Sequence, residues 1–174
     1  MNIEVVRGDL TADDSDAIVN AANGSLMGGG GVDGAIHAAG GPQVLEACRE
    51  LRRTTYPDGL PTGHAVATTG GRLRARHVIH TVGPKSWEHP DGGADLLAAC
   101  HLRSLDIAHG LGLASIAFPA ISCGVYGWSA DDAAPIAVGA VHDWHAANAG
   151  TSVGRVRFVL FNDAAERAFR AAAA

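Results

Sequence analysis

Two glycine-rich segments contain the residue types that could bind an anion. Residues 28–34 read Gly-Gly-Gly-Gly-Val-Asp-Gly, and residues 122–127 read Ser-Cys-Gly-Val-Tyr-Gly. Each segment comes after a predicted strand, and glycine allows backbone N–H groups to approach a ligand closely. Because two such segments at one edge of a sheet can contact an anion from both sides, they suit a diphosphate better than a single phosphate.

Polar side chains near the first segment could do chemistry on a bound molecule. Asn20 and Asn23 flank two alanines after a predicted strand, and Asp33 lies inside the glycine-rich segment. A carboxylate can position a water or take its proton, and an amide can orient a hydroxyl group. Asp33 could instead only cap a helix, and the asparagines could only form turns. We expect a catalytic or positioning role for Asp33, a functional role for Asn23 and a structural role for Asn20.

Short apolar segments alternate with longer segments of helical periodicity, which predicts an α/β fold: a three-layer α/β/α domain with a mixed central sheet. The predicted strands are residues 3–6, 16–20, 65–69, 76–82, 114–121 and 155–161. Helices are predicted over about residues 33–39, 42–53 and 95–109, and from residues 129 and 163 onward. Ligands bind at the carboxyl ends of strands in such sheets, where both glycine-rich segments are expected. The 174 residues suit a single domain spanning 1–174.

Composition excludes several classes of partner. The chain has 13 basic and 18 acidic residues and a net charge of −5, so it lacks the basic surface that extended nucleic acid requires. No segment approaches about 18 consecutive apolar residues, so no membrane partner is expected.

Cys48, Cys100 and Cys123 form no C-x-x-C pair, and the first residues lack the apolar core of a signal peptide. We therefore expect a cytoplasmic protein with reduced thiols. The polar, glycine-rich segment 88–93 is predicted to be a mobile surface loop.

The first glycine-rich segment also has the form of a dinucleotide-binding fingerprint. Gly29, Gly31 and Gly34 have the spacing G-x-G-x-x-G, but about eight residues separate Asn20, at the end of the predicted strand, from Gly29. The acidic residue expected about 20 residues further on has no convincing candidate. The sequence also lacks G-x-x-x-x-G-K-[ST]. We therefore expect neither a nicotinamide-dependent enzyme nor a Walker-type nucleotide site.

Nine histidines raise the question of a metal site. His142 and His145 are three residues apart but have no third ligand nearby in the sequence, and His77 and His80 lie on opposite faces of one predicted strand. His37 follows the first glycine-rich segment, and we expect it to pack in the interior. The sequence therefore predicts no metal and no cofactor.

Five motifs, in this order along the chain, resemble those of the macrodomains. They are Gly-Asp-Leu-Thr (8–11), Ala-Ile-Val-Asn-Ala-Ala-Asn (17–23), Leu-Met-Gly-Gly-Gly-Gly-Val-Asp-Gly-Ala-Ile-His (26–37), Val-Ile-His-Thr-Val-Gly-Pro (78–84) and Phe-Pro-Ala-Ile-Ser-Cys-Gly-Val-Tyr-Gly (118–127). The resemblance is to the MacroD-type branch, which includes O-acetyl-ADP-ribose deacetylases and mono-ADP-ribosyl hydrolases. It covers nearly the whole chain and implies a macrodomain fold with an ADP-ribose site.

The resemblance implies which residues hold the adenine. Asp9 would hydrogen-bond the adenine amine, with Leu10 beside it. Phe161 would pack on the adenine ring, with Asn162 next to it. The residue types agree with these roles, because a carboxylate accepts hydrogen bonds from an amine and phenylalanine offers a flat apolar face.

The same resemblance implies two phosphate loops and a catalytic pair. Residues 30–33 would form the first loop and residues 122–126 the second, with Tyr126 flanking the distal ribose. Asn23 and Asp33 are the implied catalytic residues: Asn23 would orient that ribose, and Asp33 would position or deprotonate a water. An oxygen of the α-phosphate could activate the water instead. The implied site residues are Asp9, Leu10, Asn23, Gly30, Gly31, Val32, Asp33, Ser122, Cys123, Gly124, Val125, Tyr126, Phe161 and Asn162.

The implied function is that of a metal-independent hydrolase. It would remove mono-ADP-ribose from acidic side chains or acetate from O-acetyl-ADP-ribose, so its partners would be ADP-ribose, ADP-ribosylated proteins or O-acetyl-ADP-ribose. We expect a monomer. Two alternatives remain: a reader module that binds ADP-ribose without chemistry, and an ADP-ribosyl hydrolase acting on nucleic-acid phosphate ends. The pair Asn23 and Asp33 favours the enzyme. Cys123 departs from the family pattern, where threonine is common, and it has no identifiable partner base that would make it a nucleophile.

Overall fold

A six-stranded mixed sheet forms the centre of the computed structural model, which describes residues 1–89 and 92–174. The predicted mobile loop 88–93 therefore lies partly outside the described residues. The strands are β1 (Asn2–Arg7), β2 (Ala17–Ala22), β3 (Ala65–Thr69), β4 (His77–Val82), β5 (Ser115–Phe118) and β6 (Arg155–Leu160). Their order across the sheet is β1-β6-β5-β2-β4-β3. β3 is antiparallel to β4, and the other neighbouring strands are parallel, so the predicted mixed sheet is confirmed.

Helices cover both faces of this sheet, which confirms the predicted three-layer architecture. They are α1 (Gly31–Gly40), α2 (Pro42–Thr54), α3 (Ala94–Gly110), α4 (Ala130–Ala147) and α5 (Asp163–Ala173). On one face, α3, α4 and α5 bury an apolar cluster that includes Phe118 and Phe158. On the other face, α1 places Ile36 against the sheet and α2 places Cys48 there. None of the described helices is long and apolar enough to cross a membrane.

Two strands end more than one residue away from the predicted position. β5 ends at Phe118 rather than at residue 121, because Pro119 has no N–H to donate to a neighbouring strand. β2 continues two residues past Asn20, because it stays paired with β4 as far as Ala22.

The helix starts follow the sequence signals more closely. Ser129 caps α4 by accepting a hydrogen bond from the backbone N–H of Asp132, and Pro42 is the first residue of α2. α1 begins at Gly31, two residues before the predicted start, so Asp33 lies in its first turn.

The topology brings the two glycine-rich segments to one edge of the sheet. Because β2, β4 and β5 are parallel neighbours, their carboxyl ends lie side by side. The first glycine loop (residues 28–31) follows β2 and ends at the first residue of α1. The second glycine loop (residues 122–127) lies between β5 and α4.

Candidate functional site

A cleft of about 340 Å³ opens at the carboxyl ends of the central strands. The first glycine loop and the start of α1 line one side, and the second glycine loop lines the other. The predicted anion-binding segments therefore face the same cleft. Gly83, directly after β4, also lines it, although the sequence gives this residue no role. The predicted site residues that line the cleft are Asn23, Gly30, Gly31, Val32, Asp33, Ser122, Gly124, Val125 and Tyr126.

Asp33 is held in a fixed orientation in the first turn of α1, where it is only 5% exposed. Its Oδ1 accepts a 2.8 Å hydrogen bond from Asn20 Nδ2, and His37 Nε2, one turn later, lies 3.4 Å from the same oxygen. A Cβ on Gly29 would lie 3.1 Å from Asp33 Oδ2 and 3.2 Å from Asn23 Nδ2. The carboxylate is thus bound at Oδ1, while Oδ2 faces the first glycine loop.

Both asparagines support this side of the cleft. Asn23 Nδ2 donates to the carbonyl of Gly28 at 3.0 Å, and Asn23 Oδ1 accepts from the backbone N–H of Ser25 at 3.0 Å and from its hydroxyl. Asn23 therefore forms a turn, which is the alternative role given above for the asparagines, and it also lines the cleft. Asn20 is fully buried, and its Nδ2 donates to the carboxylate of Asp33.

Backbone hydrogen bonds hold the second glycine loop. The N–H of Trp128 donates to Ser122 O at 3.1 Å, and the N–H of Gly127 donates to Gly124 O at 3.1 Å. Ser122 has a φ of +66°, a left-handed conformation that residues other than glycine rarely adopt. The side chain of Val125 is 89% exposed. The loop thus presents backbone and an apolar side chain rather than charged groups.

Residues 85 and 86 contact the far end of this loop. Ser86 N–H donates to Tyr126 O at 2.9 Å, and Lys85 Nζ lies 5.7 Å from the centroid of the Tyr126 ring. The thiol of Cys123, by contrast, does not line the cleft, because its Sγ donates to Ile121 O at 3.6 Å. Burial raises the pKa of the Cys123 thiol to about 11, so little of it is thiolate near pH 7.

Asp9 and Leu10 follow β1, outside the cleft. The Asp9 carboxylate accepts hydrogen bonds from the N–H of Thr11 at 2.9 Å and from its hydroxyl at 2.7 Å, so it caps a short 3₁₀ turn. Leu10 is buried in the core, whereas Asp9 lines a second hollow of about 300 Å³. The structure places Asp9 at the surface but not in the same cleft as Asp33.

Phe161 and Asn162 follow β6, which is the neighbour of β1. Because Gly8 N–H donates to Leu160 O at 3.0 Å, the residues that follow these two strands remain adjacent. The ring of Phe161 is 88% exposed, which suits stacking against a ligand. The side chain of Asn162 caps α5 by accepting from the N–H of Ala165 at 2.9 Å.

The sequence does not predict a buried polar cluster that lies beneath the first glycine loop. Asn20 Nδ2 is 3.1 Å from His80 Nδ1, and His80 Nε2 is 2.9 Å from Thr68 Oγ1 and 3.7 Å from Cys48 Sγ. His37, Cys48 and His80 each offer one possible ligand atom. These three atoms lie within 4.8 Å of one another, close enough to hold a metal ion. The motif Val-Ile-His-Thr-Val-Gly-Pro contains His80, but the motif alone does not reveal its partners.

Comparison with known proteins gives consistent matches over most of the chain. The family model "Macro domain" matches residues 19–137. A macro domain-containing protein of Streptomyces coelicolor is 56% identical over 169 residues, which are 97% of this chain and 96% of that protein. A macrodomain of Oceanobacillus iheyensis solved with ADP has a TM-score of 0.93 at 44% identity, covering 98% of this chain and 88% of that one. A macrodomain of Trypanosoma brucei in complex with ADP-ribose has a TM-score of 0.87 at 37% identity, covering 97% of this chain and 68% of that one. Variants of the Oceanobacillus protein with a single substitution at a glycine, an aspartate or an asparagine have also been solved.

Proposed function

The chain belongs to the Macro domain family, and on that basis we propose that it binds ADP-ribose and hydrolyses an ester bond at the distal ribose. The ester joins mono-ADP-ribose to an acidic side chain, or acetate to ADP-ribose, as in the MacroD-type branch that the motifs resemble. The reaction needs no metal and no cofactor. The observation that best supports hydrolysis is the buried carboxylate of Asp33, which Asn20 holds at the side of the cleft.

Binding of the diphosphate is supported by the two glycine loops that face each other across the cleft. α1 begins at the first loop, and the N-terminus of a helix favours an anion through its free N–H groups and its dipole. The exposed ring of Phe161 supports an adenine contact at the adjacent strand ends. The Oceanobacillus protein was solved with ADP and the Trypanosoma protein with ADP-ribose, which supports the same ligand here.

Catalysis is supported by the way in which Asp33 is held. Because Oδ1 accepts from Asn20, the carboxylate keeps its orientation, and Oδ2 faces the loop that would bind the diphosphate. A water next to Oδ2 would add to the carbonyl carbon of the ester, and the ribose oxygen would leave as a hydroxyl. The proton of the water passes to Asp33 or to an α-phosphate oxygen of the substrate, and from there to the departing ribose oxygen as the C–O bond to the carbonyl carbon breaks.

Residue spacing in the Oceanobacillus protein supports the same assignment. The asparagine, glycine and aspartate that were substituted singly in that protein are seven and three residues apart. Asn23, Gly30 and Asp33 have the same residue types and the same spacing. We assign Asn23 to orienting the distal ribose and Asp33 to positioning or deprotonating the water.

The test measures release of free ADP-ribose from a carrier protein that is mono-ADP-ribosylated on glutamate, with and without EDTA. We expect release to continue in the chelator. Asp33→Ala and Asn23→Ala should each lower turnover by about 100-fold or more, with Kd for ADP-ribose within about threefold. Phe161→Ala is the matched binding variant, because loss of a stacked base costs about 1–3 kcal/mol and should raise Kd without lowering turnover at saturation.

Three other outcomes would replace the proposal. Tight ADP-ribose binding without release from either ester would identify a reader module. Release confined to ADP-ribosylated nucleic-acid ends would identify the phosphate-end hydrolase. Absence of both binding and release would overturn the function altogether.

We also propose a cytoplasmic location and a monomeric state. Cys48, Cys100 and Cys123 are all free thiols, which supports a reducing compartment. Size-exclusion chromatography with light scattering would test the monomer.

A further inference from the structure

A chain of hydrogen bonds runs from the cleft into the core through His80, which is fully buried on β4. Asn20 Nδ2 donates to Asp33 Oδ1 at 2.8 Å and lies 3.1 Å from His80 Nδ1. His80 Nε2 lies 2.9 Å from Thr68 Oγ1, and that hydroxyl donates to Thr69 O at 3.1 Å. Asn20 and His80 are register partners on β2 and β4, and Thr68 lies on β3. Three neighbouring strands therefore supply the residues of this series of hydrogen bonds.

The direction of each hydrogen bond in this chain follows from donor and acceptor chemistry. An amide nitrogen can only donate, so Asn20 requires His80 Nδ1 to be a bare acceptor. Burial lowers the pKa of His80 to about 3, so the ring is neutral near pH 7 and its proton is on Nε2. Nε2 then donates to the Thr68 hydroxyl, which donates onward to a backbone carbonyl. The opposite amide orientation would turn Asn20 Oδ1 toward the carboxylate of Asp33 and place two acceptors in contact.

A metal ion would fit these contacts less well than the hydrogen bonds do. His37, Cys48 and His80 have the spacing for one. A metal on His80 Nε2 would move the ring proton to Nδ1, where it would face the N–H of Asn20.

We propose that His80 is a positioning residue for the hydrolysis, acting through Asn20 on Asp33. The bare Nδ1 of His80 holds the Asn20 amide, and that amide holds Asp33 Oδ1 so that Oδ2 faces the first glycine loop. This inference rests on the proposed function. Without an acceptor at the position of Nδ1, the amide of Asn20 is free to rotate, and the orientation of the carboxylate is lost.

Two variants of His80 separate positioning from packing. His80→Leu removes both ring nitrogens, while His80→Asn keeps an acceptor, Oδ1, near the position of Nδ1. We expect His80→Leu to lower kcat by about 10- to 100-fold, with KM and Kd for ADP-ribose within about threefold. His80→Asn should restore kcat to within about fivefold of the wild-type value.

His101 provides the matched control, because it is a second fully buried histidine that lies on the opposite face of the sheet. Its Nδ1 is 2.9 Å from Leu97 O, and its ring packs against Phe118. We expect His101→Leu to lower Tm, as His80→Leu does, but to leave kcat within about twofold of the wild-type value.

Imidazole 15N NMR of the ligand-free wild-type chain gives a readout that does not depend on turnover. We expect a neutral His80 at pH 7 with its proton on Nε2, and a proton on Nδ1 or a charged ring would overturn the inference. Two results would overturn this inference but leave the proposed function in place. In the first, the wild-type chain turns over and His80→Leu has the same kcat. In the second, His80→Leu and His80→Asn lose the same amount of kcat. No turnover by the wild-type chain would overturn the proposed function, and this inference with it.

Discussion

The two glycine loops have similar compositions, but different kinds of contact support them. Polar side chains support the first loop: the partly buried Asn23 donates to the carbonyl of Gly28, and the buried Asn20 holds Asp33. Backbone hydrogen bonds support the second loop, whose Val125 side chain is 89% exposed. Fixed side chains suit chemistry, because the reacting groups must keep their geometry, whereas N–H groups alone suffice to bind a phosphate. We therefore assign catalysis to the first loop and its surroundings, and binding to the second.

Each loop also has a close contact with one glycine outside it. A Cβ on Gly34 would lie 2.5 Å from Gly29 O in the first loop. A Cβ on Gly83 would overlap the hydroxyl of Ser122 in the second loop and lie 2.8 Å from Ile121 Cγ2. Alanine at Gly34 or at Gly83 therefore displaces one loop and leaves the other in place, which makes the two positions a matched pair.

Of the two glycine variants, Gly34→Ala should have the larger effect on turnover. The new methyl group pushes the carbonyl of Gly29 away, and Gly29 lies against the side chains of Asn23 and Asp33. We expect kcat to fall by about 100-fold, since a shift of about 1 Å in a reacting group can cost that much. The control is Gly139→Ala in α4, where no described atom lies within 4 Å of the new Cβ. An unchanged kcat in Gly34→Ala would contradict the assignment of catalysis to the first loop.

Gly83→Ala should instead weaken binding. Displacement of Ser122 moves the backbone N–H groups of the second loop, so we expect Kd for ADP-ribose to rise about tenfold, which corresponds to about 1.4 kcal/mol. At saturating substrate, kcat should change by less than about threefold. Isothermal titration calorimetry with ADP-ribose and a turnover assay on the same preparation would check both values. A loss of kcat as large as that of Gly34→Ala would remove the distinction between the loops.

Much of the fold could be predicted because the signals for it are local. Pro42 and Ser129 mark helix starts within one turn, and the six strands are short apolar segments of the sequence. The predicted strand end at residue 121 is wrong, because the apolar segment continues past Pro119, which cannot donate to the sheet. The single domain is a prediction that the structure leaves untested.

The candidate site could be predicted only in part. The glycine loops were predictable because their composition is unusual and both follow strands, and the structure brings both to one cleft. The contact of Asn20 with His80 could not be predicted, because these residues are 60 positions apart and meet only through the register of β2 on β4. A single sequence does not state strand register, so the support beneath Asp33 is visible only in three dimensions.

The buried imidazole beneath the first loop should make stability fall in acid. Burial lowers the pKa of His80 from 6.5 to about 3 and that of His101 from 6.5 to about 4. Below pH 6.5 the unfolded chain binds protons that the folded chain excludes, so each histidine should lower the free energy of unfolding by up to about 1.4 kcal/mol per pH unit between pH 6 and 4. Urea unfolding at pH 7, 6 and 5 would measure this slope.

Single variants identify the source of that slope. His80→Asn and His101→Asn should each reduce it by the contribution of one histidine, and the double variant by the contribution of both. A slope that is the same in the wild type and in His80→Asn would show that the cluster beneath the first loop takes up a proton with the chain still folded.

Cys123→Thr should have the smallest effect, because the second loop binds through its backbone. The thiol points away from the cleft, 3.6 Å from Ile121 O and 3.9 Å from Ser129 O, and a threonine hydroxyl can donate to the same carbonyls. We expect Kd and kcat within about twofold of the wild-type values. Because burial raises the pKa of the Cys123 thiol to about 11, fewer than about one molecule in a thousand has the thiolate at pH 7.5, and iodoacetamide should modify it slowly. Rapid loss of ADP-ribose binding on alkylation, prevented by Cys123→Thr, would mean that the second loop opens in solution and that its side chains take part in binding after all.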